Sequence, residues 1–156
     1  MPLVLKPITA VTPDGQNLVE ALDAELSQHY DAEQRHGLSL AAIFQPHIRF
    51  FIAYLDDVAV GCGGIALFED FAEVKRMYVR PNARGRGIAQ TILAHLETTA
   101  RASGRNHLRL ETGERQPAAM RLYERAGFQP CGAFGDYAAM PALAVAASRF
   151  YEKVVN

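Results

Sequence analysis

The segment Arg84-Gly85-Arg86-Gly87-Ile88-Ala89 constrains this chain more than any other. It joins a strand-like run, 72–79, to the strongest helical pattern in the sequence, 85–103, whose apolar stripe is Ile88, Ile92, Leu96 and Ala100 with Ala89 and Leu93 beside it. Two glycines allow the backbone to bend until successive N–H groups face one point. A helix that follows directly adds its own unpaired N–H groups and a partial positive charge. The product is an anion cradle suited to a phosphate or diphosphate, with Arg84 and Arg86 able to add charge-assisted hydrogen bonds. The nucleotide P-loop is excluded because its lysine is absent. The dinucleotide fingerprint fails at its third glycine, where Gln90 stands.

Around this turn the sequence reads as strand 3–8, a turn at Pro13-Asp14-Gly15, and a helix with Leu18, Leu22 and Leu26 on one face. Residues 29–46 read as a short helix and a loop. Strands at 49–55 and 58–68 flank an Asp56-Asp57 hairpin turn. The glycines of 61–64 suggest a bulge or a close backbone neighbour. After the long helix come strand 107–112, helix 117–126, strand 128–134, a loop over 135–146 and a closing strand 148–155. Hairpins followed by strand-helix alternation predict an α/β (α+β) domain, with a mixed sheet and helices on both faces.

With 156 residues, about half of them apolar, the chain is read as a single domain, 1–156, with one core of ordinary size. No apolar run approaches the roughly 20 residues of a membrane helix, and the first residues lack a signal-peptide pattern, so a cytoplasmic location is expected. A net charge of -1 argues against a nucleic-acid partner. Positive charge is nevertheless local: Lys75, Arg76, Arg80, Arg84 and Arg86 crowd the glycine turn. Cys62 and Cys131 form no disulfide framework, and the five histidines never fall at ligand spacing, so no metal is expected.

Two motifs at this separation make the chain resemble the GCN5-related N-acetyltransferases. Arg84, Gly87 and Ala89 match that family's acetyl-CoA motif, Gln/Arg-x-x-Gly-x-Gly/Ala, and 73–79 is similar to its fourth strand. Gln116-x-x-Ala119-x-x-Leu122-Tyr123-x-x-x-Gly127-Phe128 resembles its second cofactor motif, although Gln116 replaces the usual asparagine with a longer amide. Residues 50–134 carry the likeness, and the stretches 73–79 and 110–113 are similar to those of small bacterial members. The resemblance implies a mostly antiparallel sheet of about six or seven strands, with a V-shaped gap where the fourth and fifth splay apart. Acetyl-CoA would enter this gap as co-substrate. Backbone groups of Met77 and Val79 would pair with its pantetheine amides. N–H groups of Gly85, Arg86, Gly87, Ile88 and Ala89 would hold the diphosphate.

Acyl transfer to an amine needs a neutral amine, a donor for the oxyanion and a proton for the leaving thiolate. A protein nucleophile is not required, and neither cysteine has an evident base. Within the resemblance, Tyr123 is the expected general acid and Glu73 the expected base, acting through water, with Glu111 as its rival. An N–H near Met77 or Tyr78 is the expected oxyanion donor. The acceptor is expected to be a small-molecule primary amine, with a protein amine or a non-catalytic sensor as the other readings. Tyr30, His36, Phe44 and Tyr137 are candidate pocket residues, and homodimerisation is compatible with the resemblance.

Overall fold

The structure, a computed structural model, describes residues 2–155. The elements run β1 (Leu3–Ile8), α1 (Pro13–Ser27), β2 (Ile48–Leu55), β3 (Val58–Leu67), β4 (Ala72–Val79), α2 (Ile88–Ala102), β5 (His107–Gly113), α3 (Pro117–Arg125), β6 (Gln129–Cys131), a short α4 (Ala142–Val145) and β7 (Ser148–Val154). They build a seven-stranded sheet in the order β1-β2-β3-β4-β5-β7-β6. Every neighbouring pair is antiparallel except β4 and β5.

Each face of the sheet is covered for a reason visible in the side chains. On one face, Ile88, Ile92, Leu93, Leu96 and Ala100 of α2 pack on Val60, Ile65, Val74 and Val79, and Tyr123 of α3 joins them. On the other, Leu18, Val19 and Leu22 of α1 pack on Phe50, Ile52, Cys62 and Tyr78. Several boundaries differ from the sequence reading. Pro13-Asp14-Gly15 is the first turn of α1, because Thr12 caps the helix by accepting from the Gly15 N–H at 3.1 Å. Helix α2 starts at Ile88 rather than residue 85, since Gly85 (φ 81°) and Gly87 (φ 76°) are left-handed and cannot continue a helix backwards. Residues 29–46 contain two 3-10 turns and no α-helix. The sixth strand shrinks to three residues, and 135–146 holds a 3-10 turn and α4 rather than an undefined loop. The Asp56-Asp57 turn is present, with φ of 51° and 65°, a conformation that glycine would adopt more easily.

Two irregularities shape the centre of the sheet. Strands β4 and β5 pair only from Ala72↔Leu108 to Val74↔Leu110, although both continue beyond. Between Cys62 and Gly64 of β3, the register against β4 shifts by a bulge, and Arg76 sits there at φ 54°. A bulge bends and twists its strand, which carries the second half of β4 away from β5. The V-shaped gap therefore opens where the bulge begins.

Candidate active site

The gap holds a cavity of about 110 Å³. Its walls come from α1 and the turn after it, from 73–77 of β4, from 111–113 of β5, and from the start of α3. Glu73, Met77, Glu111, Gln116, Ala119, Tyr123 and Tyr137 all reach it.

Below Val74 the β4 edge facing β5 has no strand partner. The Arg80 N–H bonds back to Val60 O at 2.8 Å, so alternation turns the main-chain groups of Val79 and Met77 toward the gap. Tyr78 points the other way, into the core beneath α1. At the end of β4, the N–H groups of residues 85–90 make no backbone hydrogen bond, and the first helical bond runs from Thr91 N–H to Gly87 O at 3.1 Å. Buried Ile88 pins this turn to the core, half-buried Ala89 packs beside it, and Arg86 is exposed. A strand edge without a partner followed by a run of free N–H groups fits an extended amide-bearing arm joined to a diphosphate, as in coenzyme A.

Arg84 departs from the sequence reading. Its guanidinium turns back, donating to Val79 O at 2.9 Å and to Glu25 at 2.8 Å, and stacks over the Tyr78 ring. It braces the turn against α1 instead of reaching out as a charged arm. The turn 84–89 also stands outside the walls of the cavity, beyond its Met77 end.

Tyr123 is buried against Phe128 and Tyr151, and burial, with Glu111 nearby, pushes its phenol above the usual tyrosine range. It is therefore protonated at neutral pH. Gln116 stands just before α3 without a side-chain capping bond, and Ala119 lies in the first turn. Glu73 and Glu111 occupy the same face of the sheet, across the gap from each other. Glu73 is 5% exposed, and its Oε2 accepts from Lys75 Nζ at 3.1 Å and Tyr137 Oη at 2.7 Å. Glu111 accepts from Ser148 Oγ at 2.6 Å. Burial raises the Glu111 carboxyl above its usual range. The Ser148 bond and the charges of His36 and Lys75 oppose this, while Glu73 reinforces it.

Of the other candidate pocket residues, Tyr30, His36 and Tyr137 line the cavity, whereas Phe44 packs on Phe50 away from it. His36 is held by Ala144 O at 2.7 Å and by the Tyr137 ring, and Tyr30 Oη accepts from Arg115 N–H at 2.7 Å. Sequence reasoning missed Gln34, Arg35, Gly37 and Ser148. Ser148 could have been suspected from strand pairing, since β7 sets it against Gly113, at the mouth of the gap. No sequence signal marks the other three. Cys62 is fully buried, donates to Arg76 O, and is pushed up to about 12 by burial, as a packing residue would be.

Known proteins supply the same answer as this geometry. The model of the acetyltransferase (GNAT) family matches residues 16–128. The IAA acetyltransferase of Azospirillum brasilense is 43% identical over 126 residues, covering 80% of this chain and 82% of its own. The N-acetyltransferase YsnE of Bacillus subtilis is 34% identical over 70% of this chain and 74% of its own. A crystal structure from Klebsiella pneumoniae, assigned to the acyl-CoA N-acyltransferases, superposes with a TM-score of 0.80 at 34% identity, covering 99% of this chain and 98% of that one. No helix among the described residues is long and apolar enough to cross a membrane. The chain belongs to the GNAT acetyltransferase family and is an acyl-CoA-dependent acetyltransferase.

Proposed function

We propose that this protein transfers an acetyl group from acetyl-CoA to the primary amine of a small molecule, as a single catalytic domain in the cytoplasm. One observation carries the reading: Tyr123, Glu73 and Glu111 line one cavity together with Met77 of the open β4 edge. The pantetheine arm runs along Met77 and Val79, and the N–H groups of 85–89 receive the diphosphate. Gln116 and Ala119 border the thioester end.

A free alkylamine has a pKa near about 10.4, so it must lose a proton before it attacks. Glu73 takes that proton through water, using Oε1, since Lys75 and Tyr137 both bond Oε2. The amine nitrogen then bonds to the acetyl carbon, and the carbon–sulfur bond breaks. The Met77 N–H stabilises the oxyanion between these events. Tyr123, kept protonated by its burial, donates to the departing sulfur. Glu111 lines the same cavity and is the rival for the base role.

A thiol-release assay with acetyl-CoA, run over small amines and over peptides, tests this reading. Faster turnover with small amines is expected. A preference for peptides would move the enzyme to protein acceptors. Saturable acetyl-CoA binding in titration calorimetry, with no thiol released from any acceptor, would make the protein a sensor and defeat the proposal.

A further inference from the structure

The cavity holds three permanent cations, and they are not alike. Lys75 is neutralised by Glu73 at 3.1 Å. Arg76, whose side chain is only 4% exposed, is neutralised by Asp23 of α1. Arg35 lines the same cavity and makes no ion pair or side-chain hydrogen bond among the described residues. Its Nε is buried without a partner, and so is the Nε of Arg76. A buried guanidinium donor left unsatisfied destabilises the fold. Arg35 is thus the cation of this cavity whose charge no carboxylate among the described residues neutralises.

Gly37 shows how tightly this wall is built, since a Cβ there would overlap the Arg76 guanidinium. Arg35 is two residues upstream, beyond the 3-10 turn 32–34. A planar guanidinium matches a carboxylate in geometry and charge. The carboxylates of the same cavity, Glu73 and Glu111, suit an ammonium. The cavity therefore offers groups for both a carboxylate and an ammonium.

From this juxtaposition, and resting on the amine-acetylation reading above, we propose that the acceptor carries a carboxylate as well as its amine: an amino acid, whose carboxylate is bound by Arg35 with Arg76 behind it. Glu73 and Glu111 face the amine. The reaction still forms one C–N bond, breaks one C–S bond and takes two protons from the ammonium nitrogen, the first to Glu73 through water and the second, released as the amide forms, to replace the one that Tyr123 gives to sulfur. The carboxylate takes no part in it and serves to position the amine.

The test compares acceptors that differ only in this group. Thiol release is measured for the α- and ω-amino acids, each beside its carboxamide. The acid is expected to exceed its amide at least 10-fold in kcat/KM, mainly through KM, for the best acceptors. In Arg35→Gln that ratio should fall to near one, and Arg35→Lys should restore part of it. A des-amino carboxylate should inhibit the unaltered enzyme competitively with the acceptor and not with acetyl-CoA. Circular dichroism confirms that each variant is folded. Equal rates for acids and amides, or an unchanged ratio in Arg35→Gln, would overturn this inference and leave amine acetylation standing. Thiol release from neither kind of acceptor would overturn both.

Discussion

The two ends of the cleft are made from different materials. The end assigned to acetyl-CoA is main chain: an unpaired strand edge and a run of free N–H groups, fixed by Gly85 and Gly87 at positive φ. The end proposed for the acceptor is side chain. Gln34, Arg35 and His36, carboxylates of β4 and β5, and Tyr137 meet there from segments far apart in sequence. A site made of backbone recognises a constant ligand and tolerates side-chain change. A site made of side chains on irregular segments can be retuned one residue at a time.

Replacing groups at each end should expose this division. Tyr123→Phe is expected to lower kcat about 100-fold, while calorimetry gives an acetyl-CoA Kd within about twofold of the original. Unchanged turnover would remove Tyr123 from the mechanism. Glu73→Gln is expected to cost about 30-fold in kcat and to erase the acidic limb of the pH–rate profile. A retained limb would transfer the base role to Glu111. Gly87→Val forces a β-branched residue to φ 76°, a strain of about 1–3 kcal/mol. It should weaken acetyl-CoA about 10-fold and leave the order of acceptor preference intact. Arg84→Ala should change the acetyl-CoA Kd less than about threefold, since its guanidinium is spent on Glu25 and Val79 O.

The smallest effect concerns stability. The Glu111 carboxyl is raised in the folded state, chiefly by burial. Its ionised form therefore opposes folding at pH above the folded value, and the opposition vanishes once it is protonated in both states. Glu111→Gln should melt higher than the parent near neutral pH. The difference should close as pH falls below the ordinary carboxylate range, about 4.3. Equal melting temperatures at both ends of that range would contradict the burial argument.

The same contrast decides what the sequence disclosed. Gly85 and Gly87, the stripe Ile88-Ile92-Leu96-Ala100 and the Pro117 helix start are local signals, each with a local cause, so the turn, α2 and α3 could be read directly. Proline and glycine were ambiguous at Pro13-Asp14-Gly15, where the decisive group was the hydroxyl of Thr12 just before them. The facing of Glu73 and Glu111 could not be read, since strand alternation gives two faces without saying which meets the gap. Arg35 was illegible for a different reason. Arg76 and Tyr137, which share its cavity, are distant in sequence, and its own segment, 29–46, has no period to reveal which side is buried. The direction of Arg84 depended on Glu25, an α1 residue that no motif includes.

The bulge at Arg76 carries a consequence of its own. Before it, even-numbered β4 residues, Ala72 and Val74, belong to the α2 side. After it, the odd-numbered Met77 and Val79 do, and Tyr78 joins the α1 side. Lys75 and Arg76 thus become consecutive residues sharing one face, each salt-bridged to its own carboxylate. The strand changes parity in mid-course. Deleting one residue there would keep every neighbouring side chain chemically the same, yet send the sulfur of Met77 and the phenol of Tyr78 to opposite compartments.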